Sequence, residues 1–361
     1  MESTTTQLKG LILAAGRGTR MRPLTHTAAK HLIPLAGKPM LFHVIENLVE
    51  AGVVEIAIVV GENGPQIEAE VGDGSALGAK IDYVEQRYPQ GLAHAVKVAE
   101  DYVGQQPFVV YLGDNILGQG ISPFVELFEA ERPDALVLLK EVDDPSRFGV
   151  AELDDQGQIV RLVEKPEAPR SNRAVVGVYL FDSCVFEAIN RIEPSARGEL
   201  EITDALQEMV AQGRAVRGEI LTGWWRDAGV PADVLEANQL MVEQLESCSK
   251  GTVEGTCDIT GRVAIAEGAR VESSTIRGPA LIGEDAVVVN SYIGPFTSIG
   301  REVVVRNSEI DYSILLDGCQ VLNMTERVDG SLIGKNVRLE KNGNRPSAFQ
   351  AVLGDESEVR L

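Results

Sequence analysis

The chain has little of what would send it to a membrane, to a nucleic acid or out of the cell. No apolar run in its 361 residues approaches the roughly 18–20 residues of a bilayer span. Positive charge is scarce. The 33 Lys and Arg stand against 54 Asp and Glu, and a net charge of −21 leaves nothing global to attract a phosphate backbone or an anionic membrane. A nucleotide is not excluded, because a small polyphosphate needs only local cations. Cysteines are few, and Cys184, Cys248, Cys257 and Cys319 include no C-x-x-C pair, so reduced thiols in a cytoplasmic protein are expected. The N-terminal MESTTTQ lacks a signal h-region and reads as a frayed lead-in to the first strand. Aromatics make up 5% of a chain that is 44% apolar, ordinary for an α/β protein, and the length suggests two domains.

What is present is concentrated between Lys9 and Leu41, KGLILAAGRGTRMRPLTHTAAKHLIPLAGKPML. Gly10–Ala15 is apolar without alternation, as in a parallel strand covered on both faces. It runs into Gly16-Arg17-Gly18-Thr19-Arg20, whose glycines allow positive φ and let backbone N–H groups approach an anion. Arg17, Arg20, Arg22 and Lys30 supply local positive charge, and Pro23, Pro34 and Pro39 forbid a long helix. Together these describe a polyphosphate cradle. It is neither a Walker A loop, lacking Gly-Lys-Ser/Thr, nor a Rossmann G-x-G-x-x-G, since Arg20-Met21 stands where the third glycine belongs.

The chain then alternates helix and strand: helix Met40–Ala51, strand Val54–Val60, a short helix Gln66–Val71, strand Lys80–Glu85, helix Ala93–Val103, strand Pro107–Leu112, helix Ser122–Ala130 and strand Ala135–Lys140. Such order predicts a doubly wound α/β sheet with ligands at the carboxyl ends of its strands. A hairpin follows, Val150–Leu153 with Ile159–Glu164. Then come helix Phe181–Ile192, a loop-into-helix over 197–210, strand Ala215–Leu221 and helix Pro231–Glu246. Gln86 ends one strand, and its amide suits a pyrimidine edge, though a solvated turn glutamine is the plainer reading. Asp114, in Gly113-Asp114-Asn115, fits either a turn cap or a Mg²⁺ ligand. His94 reads as a cap on the first turn of its helix.

The spaced string LAAGRGTRMRPLT … AAKHLIPLAGKPML, with LGDN at 112–115 and W-x-D-x-G at 225–229, resembles the signature of the sugar-1-phosphate nucleotidylyltransferases. Within that family the chain is similar to the long-form thymidylyltransferases, which carry an extra C-terminal domain. The resemblance implies transfer of a nucleotidyl group from dTTP to glucose 1-phosphate in a dTDP-sugar pathway, with Mg²⁺ as cofactor. It assigns catalysis to Arg20 and Lys30, and nucleotide contacts to Leu13, Ala14, Ala15, Gly16, Gly18, Thr19, Arg20, Gln86, Pro89, Gly91 and Asp114. Gly91 would lie beneath the base or ribose. Sugar-phosphate contacts fall to Asn115, Gly149, Glu164, Lys165, Val175 and Asp227, and metal ligation to Asp114 and Asp227. Glu199 and Glu201 stand near enough in the pattern to join the sugar side. Ala15 departs from the glycine often found there, which leaves UTP open beside dTTP. A non-catalytic nucleotide-binding homologue is the remaining alternative.

From Ile259 the periodicity changes. Apolar residues at 259, 265, 271, 276, 282, 288, 293, 299, 305, 310, 316 and 322 repeat at six, six and five. This predicts a hexapeptide-repeat left-handed parallel β-helix, with glycines such as Gly283, Gly294 and Gly300 at the corners. Boundaries of 8–246 for the nucleotidyltransferase domain and 247–361 for the β-helix follow. Many such helices are acyltransferases that rely on a histidine, yet His26, His31, His43 and His94 all precede it. The module therefore reads as one for assembly or stability, a homo-oligomer is expected, and removing it from about Ser249 should touch stability more than chemistry.

Overall fold

The computed structural model describes residues 8–341, so the N-terminal lead-in and the last twenty residues lie outside the described residues. By packing, the chain falls into two compact units. Among the described residues, one takes those up to Arg17, Ala28–Leu32 and Met40–Asp227; the other takes Gly18–Thr27, Ile33–Pro39 and those from Ala228 onward.

The first unit is built on a nine-stranded mixed sheet. Its strands are β1 (Lys9–Ala14), β2 (Glu55–Val60), β3 (Lys80–Glu85), β4 (Phe108–Leu112), β6 (Ala135–Glu141), β7 (Gly149–Leu153), β8 (Ile159–Glu164), β9 (Arg173–Phe181) and β10 (Val216–Ile220), with β5 (Asn115–Leu117) and β11 (Trp225–Asp227) forming a separate ribbon. The main path runs β8-β7-β9-β4-β1-β2-β3, and β6 joins β9 to β10. β1 sits between β4 and β2, parallel to both. Leu11, Ile12, Val59 and Val110 are fully buried, which is why these strands carry no polar alternation. Crossovers between parallel strands place the loops after β1, β3 and β4 at one edge of the sheet.

Sequence reasoning missed β9. Its nine residues are buried almost throughout and pair antiparallel with β4, β6 and β7, so with the antiparallel β7–β8 hairpin it makes the sheet mixed. Phe181 closes this strand instead of opening a helix, and the helix that follows is only Val185–Ile189. The helix expected over 93–103 is broken into Leu92–Lys97 and Glu100–Val103. The first of these segments is α1 below.

In the second unit, three parallel sheets of six, six and five short strands stack as the left-handed β-helix, from Cys248–Ser249 to Arg338–Glu340. Ile265, Val271, Ile276, Ile282, Val288, Ile293, Ile299, Val305 and Ile310 fill its core as the period requires. The last two expected positions are corrected. Leu315, not Leu316, stacks on Ile299, and Val321, not Leu322, stacks on Val305. One residue is lost at the corner after Ile310, where Asp311-Tyr312 replaces Gly294-Pro295-Phe296. A later rung restores it, since Val328 pairs with Ile310. The glycines also act differently from expectation. A Cβ on Gly283 would stand 2.7 Å from the Gly300 backbone, so close rung approach demands glycine there. Left-handed corners fall mainly to other residues, among them Asn290, Asn307 and Asn323. No helix among the described residues is long and apolar enough to cross a membrane.

Candidate active site

β1 ends at Ala14 and the chain opens into the glycine loop. Gly18 has φ 62° and starts a single 3-10 turn, Thr19–Met21. Beneath Ala15, a Cβ on Gly61 would come within 2.7 Å of the Ala15 carbonyl, so Gly61 lets the loop lie close to β2. Arg17 is exposed and paired with Glu62 at 2.6 Å. Arg20 is exposed and has no hydrogen-bond or ion-pair partner among the described residues, leaving its guanidinium available to an anion. Leu13, Ala14, Ala15 and Gly16 belong to the first unit, whereas Gly18, Thr19 and Arg20 belong to the second.

Lys30 is buried and its ammonium pairs with Asp114 Oδ2. Asp114 is the second residue after β4, and its Oδ1 accepts from Asn115 Nδ2 at 3.0 Å. Burial alone would raise the Asp114 pKa. The Lys30 charge, the His31 charge once acid protonates that imidazole, and the hydrogen bonds from Lys30 and Asn115 outweigh it and hold the carboxyl well below its usual range. His31 is pushed down to about 4, first by burial and then by Lys30, against the opposing pull of Asp114, so it is neutral at pH 7. Asn115 is itself pinned: its Oδ1 accepts from the Trp225 indole N–H at 2.7 Å and from Gly177 N at 3.3 Å. Across the β5–β11 ribbon, Asp227 stands opposite Asn115. Asp114, in the turn just before β5, therefore lies one residue along the backbone from the partner of Asp227, although the two carboxylates are 113 positions apart in the chain. Among the described residues no cluster of three or more His, Cys, Asp or Glu is placed to hold a metal. Two carboxylates fit an ion that takes its other oxygens from phosphate and water.

Two further groups gather. A Cβ on Gly149 would meet Thr203 Cγ2 at 2.6 Å, Glu164 Oε2 at 3.3 Å and Val175 Cγ2 at 3.4 Å, so three expected sugar-side residues line one spot. Glu164 is held by Thr203 Oγ1 at 3.1 Å, Arg197 at 3.2 Å and Lys165 at 3.4 Å. Arg197 also reaches Glu199 at 3.3 Å and the buried Glu201 at 3.4 Å. Thr203 and Arg197 escaped sequence reasoning, although both lie in the RGELEITD segment that drew attention to the glutamates.

On the other flank, Gln86 is buried just beyond β3, while Tyr88 and Pro89 are exposed. Gly91 has φ 105°, and a Cβ there would meet Leu200 O at 2.5 Å. Glycine is thus required by packing against Leu200 as well as by conformation. His94 is no helix cap: the cap position is Gly91, without a side-chain bond, and His94 Nδ1 lies 2.8 Å from Gln86 Nε2.

With this geometry in hand, comparison places the chain. Residues 9–244 match the nucleotidyl transferase family. The glucose-1-phosphate thymidylyltransferase of Streptomyces antibioticus is 46% identical over 98% of this chain and 99% of its own. A Bacillus anthracis protein assigned as a glucose-1-phosphate thymidylyltransferase, solved with a sucrose, superposes with a TM-score of 0.61 at 40% identity, covering 64% of this chain and 94% of its own. A UDP-glucose pyrophosphorylase solved with UDP-glucose gives 0.60 at 28% identity, over 66% and 100%.

Proposed function

The chain belongs to the nucleotidyl transferase family, and on that premise we propose that it transfers thymidylate from dTTP to glucose 1-phosphate. A phosphate oxygen of the sugar phosphate attacks the α-phosphorus of the triphosphate, the bond to the β-phosphate oxygen breaks, and pyrophosphate leaves. The attacking phosphomonoester, with a second pKa of about 6, is already largely dianionic at neutral pH. No strong general base is required; the need is to bring anions together and offset their charge. The observation that carries the reading is the Lys30–Asp114 pair with Asp227 on the adjoining strand. Asp114 and Asp227 would hold Mg²⁺, the metal we assign within a family that typically uses a divalent ion, and it would supply charge neutralisation at the phosphates. Lys30, released from Asp114, meets the α-phosphate, and the unpartnered Arg20 meets the departing pyrophosphate. Gly149, Glu164, Lys165 and Val175 face the sugar phosphate with Asn115, and Leu13–Gly16, Gly18, Thr19, Gln86, Pro89 and Gly91 face the nucleotide. UTP is the second reading, favoured by the likeness to the UDP-glucose pyrophosphorylase fold.

We take 8–246 as the catalytic domain and 247–361 as the β-helix, since the first rung begins at Cys248, in a cytoplasmic homo-oligomer. The test is pyrophosphate release with glucose 1-phosphate, Mg²⁺ and each of dTTP, UTP, CTP, ATP and GTP. Preference for dTTP supports the proposal, and preference for UTP moves the product to a UDP-sugar. Arg20→Ala and Asp227→Ala should each lower kcat by roughly 10²–10³ while the fold persists. Near-parent turnover in either folded variant would remove that residue from its role.

A further inference from the structure

Beyond these assignments, we infer that His94 is a positioning residue that locks the Gln86 amide with its oxygen outward, and that this sets the site for bases bearing an N3–H and against cytosine. The inference rests on the reading that Gln86 meets the base. Gln86 is only 5% exposed, so its amide does not turn freely in water. Its Nε2 has two neighbours, His94 Nδ1 at 2.8 Å and the Gly91 carbonyl at 3.5 Å. A carbonyl only accepts, so the amide nitrogen must face this side; a flipped amide would set Oε1 against the Gly91 oxygen. His94 Nδ1 then accepts, and the ring proton sits on Nε2. The neutral imidazole this demands is the form favoured by burial and by Lys97, both of which lower the His94 pKa.

The consequence falls on the other end of the amide. Gln86 Oε1 has no hydrogen-bond partner among the described residues, and it is an acceptor with nothing to accept. Thymine and uracil present a donor at N3, whereas cytosine presents a lone pair. An oxygen held in place bonds the first two and opposes the third. Were the amide free to flip, Nε2 could donate to cytosine N3 and the distinction would fade. His94 thus enforces an orientation that Gln86 alone would not keep, from a position in the first turn of α1.

The experiment measures kcat/KM for dTTP, UTP and CTP in His94→Leu, His94→Asn and Gln86→Ala, with thermal melts to establish folding. Leucine cannot accept a hydrogen bond; asparagine can place Oδ1 near the site of Nδ1. His94→Leu should shrink the dTTP-to-CTP ratio by about tenfold or more, chiefly through KM, the equivalent of one hydrogen bond near 1.4 kcal/mol. His94→Asn should restore most of it. A parent-like ratio in His94→Leu overturns the inference, as does loss in both variants, which would mark a merely structural role. Should the leucine variant fail to fold, His94→Phe carries the same comparison. If Gln86→Ala keeps the parent ratio, the base-reading role of Gln86 itself fails; if Gln86→Ala loses it and His94→Leu does not, only the part played by His94 is wrong.

Discussion

Truncating Asn238 to alanine should destabilise the second unit far more than loss of one polar side chain on a surface would. Asn238 is fully buried in the helix Pro231–Val242. Its Oδ1 accepts from Ala36 N at 2.9 Å and from Ser298 Oγ at 2.7 Å, and its Nδ2 donates to Phe296 O at 3.1 Å. One side chain thereby ties the hairpin turn Ala36-Gly37, where φ is 48° and 81°, to a rung of the β-helix. In Asn238→Ala the Ser298 hydroxyl can rotate to another acceptor, but the Ala36 N–H and Phe296 C=O are stranded. A buried polar group left without its partner costs about 1–3 kcal/mol. Ala36 and Phe296 are half-buried, so water repairs part of the loss and the sum comes to about 2–4 kcal/mol. At roughly 2–4 °C per kcal/mol for a unit of this size, the melting temperature should fall by about 4–16 °C. Ser298→Ala is the control: it removes one donor and should cost only about 1 kcal/mol. A melt of Asn238→Ala within about 1 °C of the parent, or a Ser298→Ala equally damaging, would refute the reasoning.

Thiol labelling at pH 8 should reach the exposed Cys248 first, while Cys184 and Cys319 lag by orders of magnitude. Burial pushes Cys184 up to about 12, helped by Asp134, and Cys319 up to about 11. Their thiols stay protonated until pH nears those values, with thiolate fractions of about 10⁻⁴ and 10⁻³ at pH 8. Equal rates at all three would contradict the packing. A chain ending at Glu246 should melt lower while changing kcat/KM in pyrophosphate release far less; a folded truncation without activity would overturn the expectation that the β-helix leaves chemistry alone.

Strands with continuous apolar runs were legible because burial on both faces leaves no other composition possible. β1, β2 and β4 fall within a residue or so of their expected bounds. β9 was not legible. Its RAVVGVYLF lies in a segment whose hairpin and charged turns read as an excursion over a ligand, and only the mixed sheet explains why it is buried. In the site, Asp114 and Asp227 were named from local motifs, but nothing in either motif says that their backbones run side by side. That follows from the β5–β11 ribbon and the Trp225–Asn115 bond across it. His94 went the other way. Its place in a first helical turn suggested a cap, and the competing partner, Gln86, lies eight residues back across a loop whose path turns on Gly91 and Leu200.

The stretch Ile33–Pro39 shows how one string of residues can carry two kinds of information. Read beside Lys30, its prolines and glycine look like part of a phosphate cradle. In the structure, Gly37 is required because a Cβ would stand 2.5 Å from Leu281 of the β-helix, and Ala36 is held by Asn238. Pro34–Leu35 and Lys38–Pro39 pair as a minimal hairpin and pack with the second unit. An isolated hairpin of this size is marginal in water at best, so its geometry depends on Asn238, Leu281 and the rung at Phe296–Ser298. Lys30 lies three residues before this segment. Within the second unit the β-helix therefore fixes the hairpin's geometry, so residues that read as part of a phosphate cradle answer first to packing against a rung.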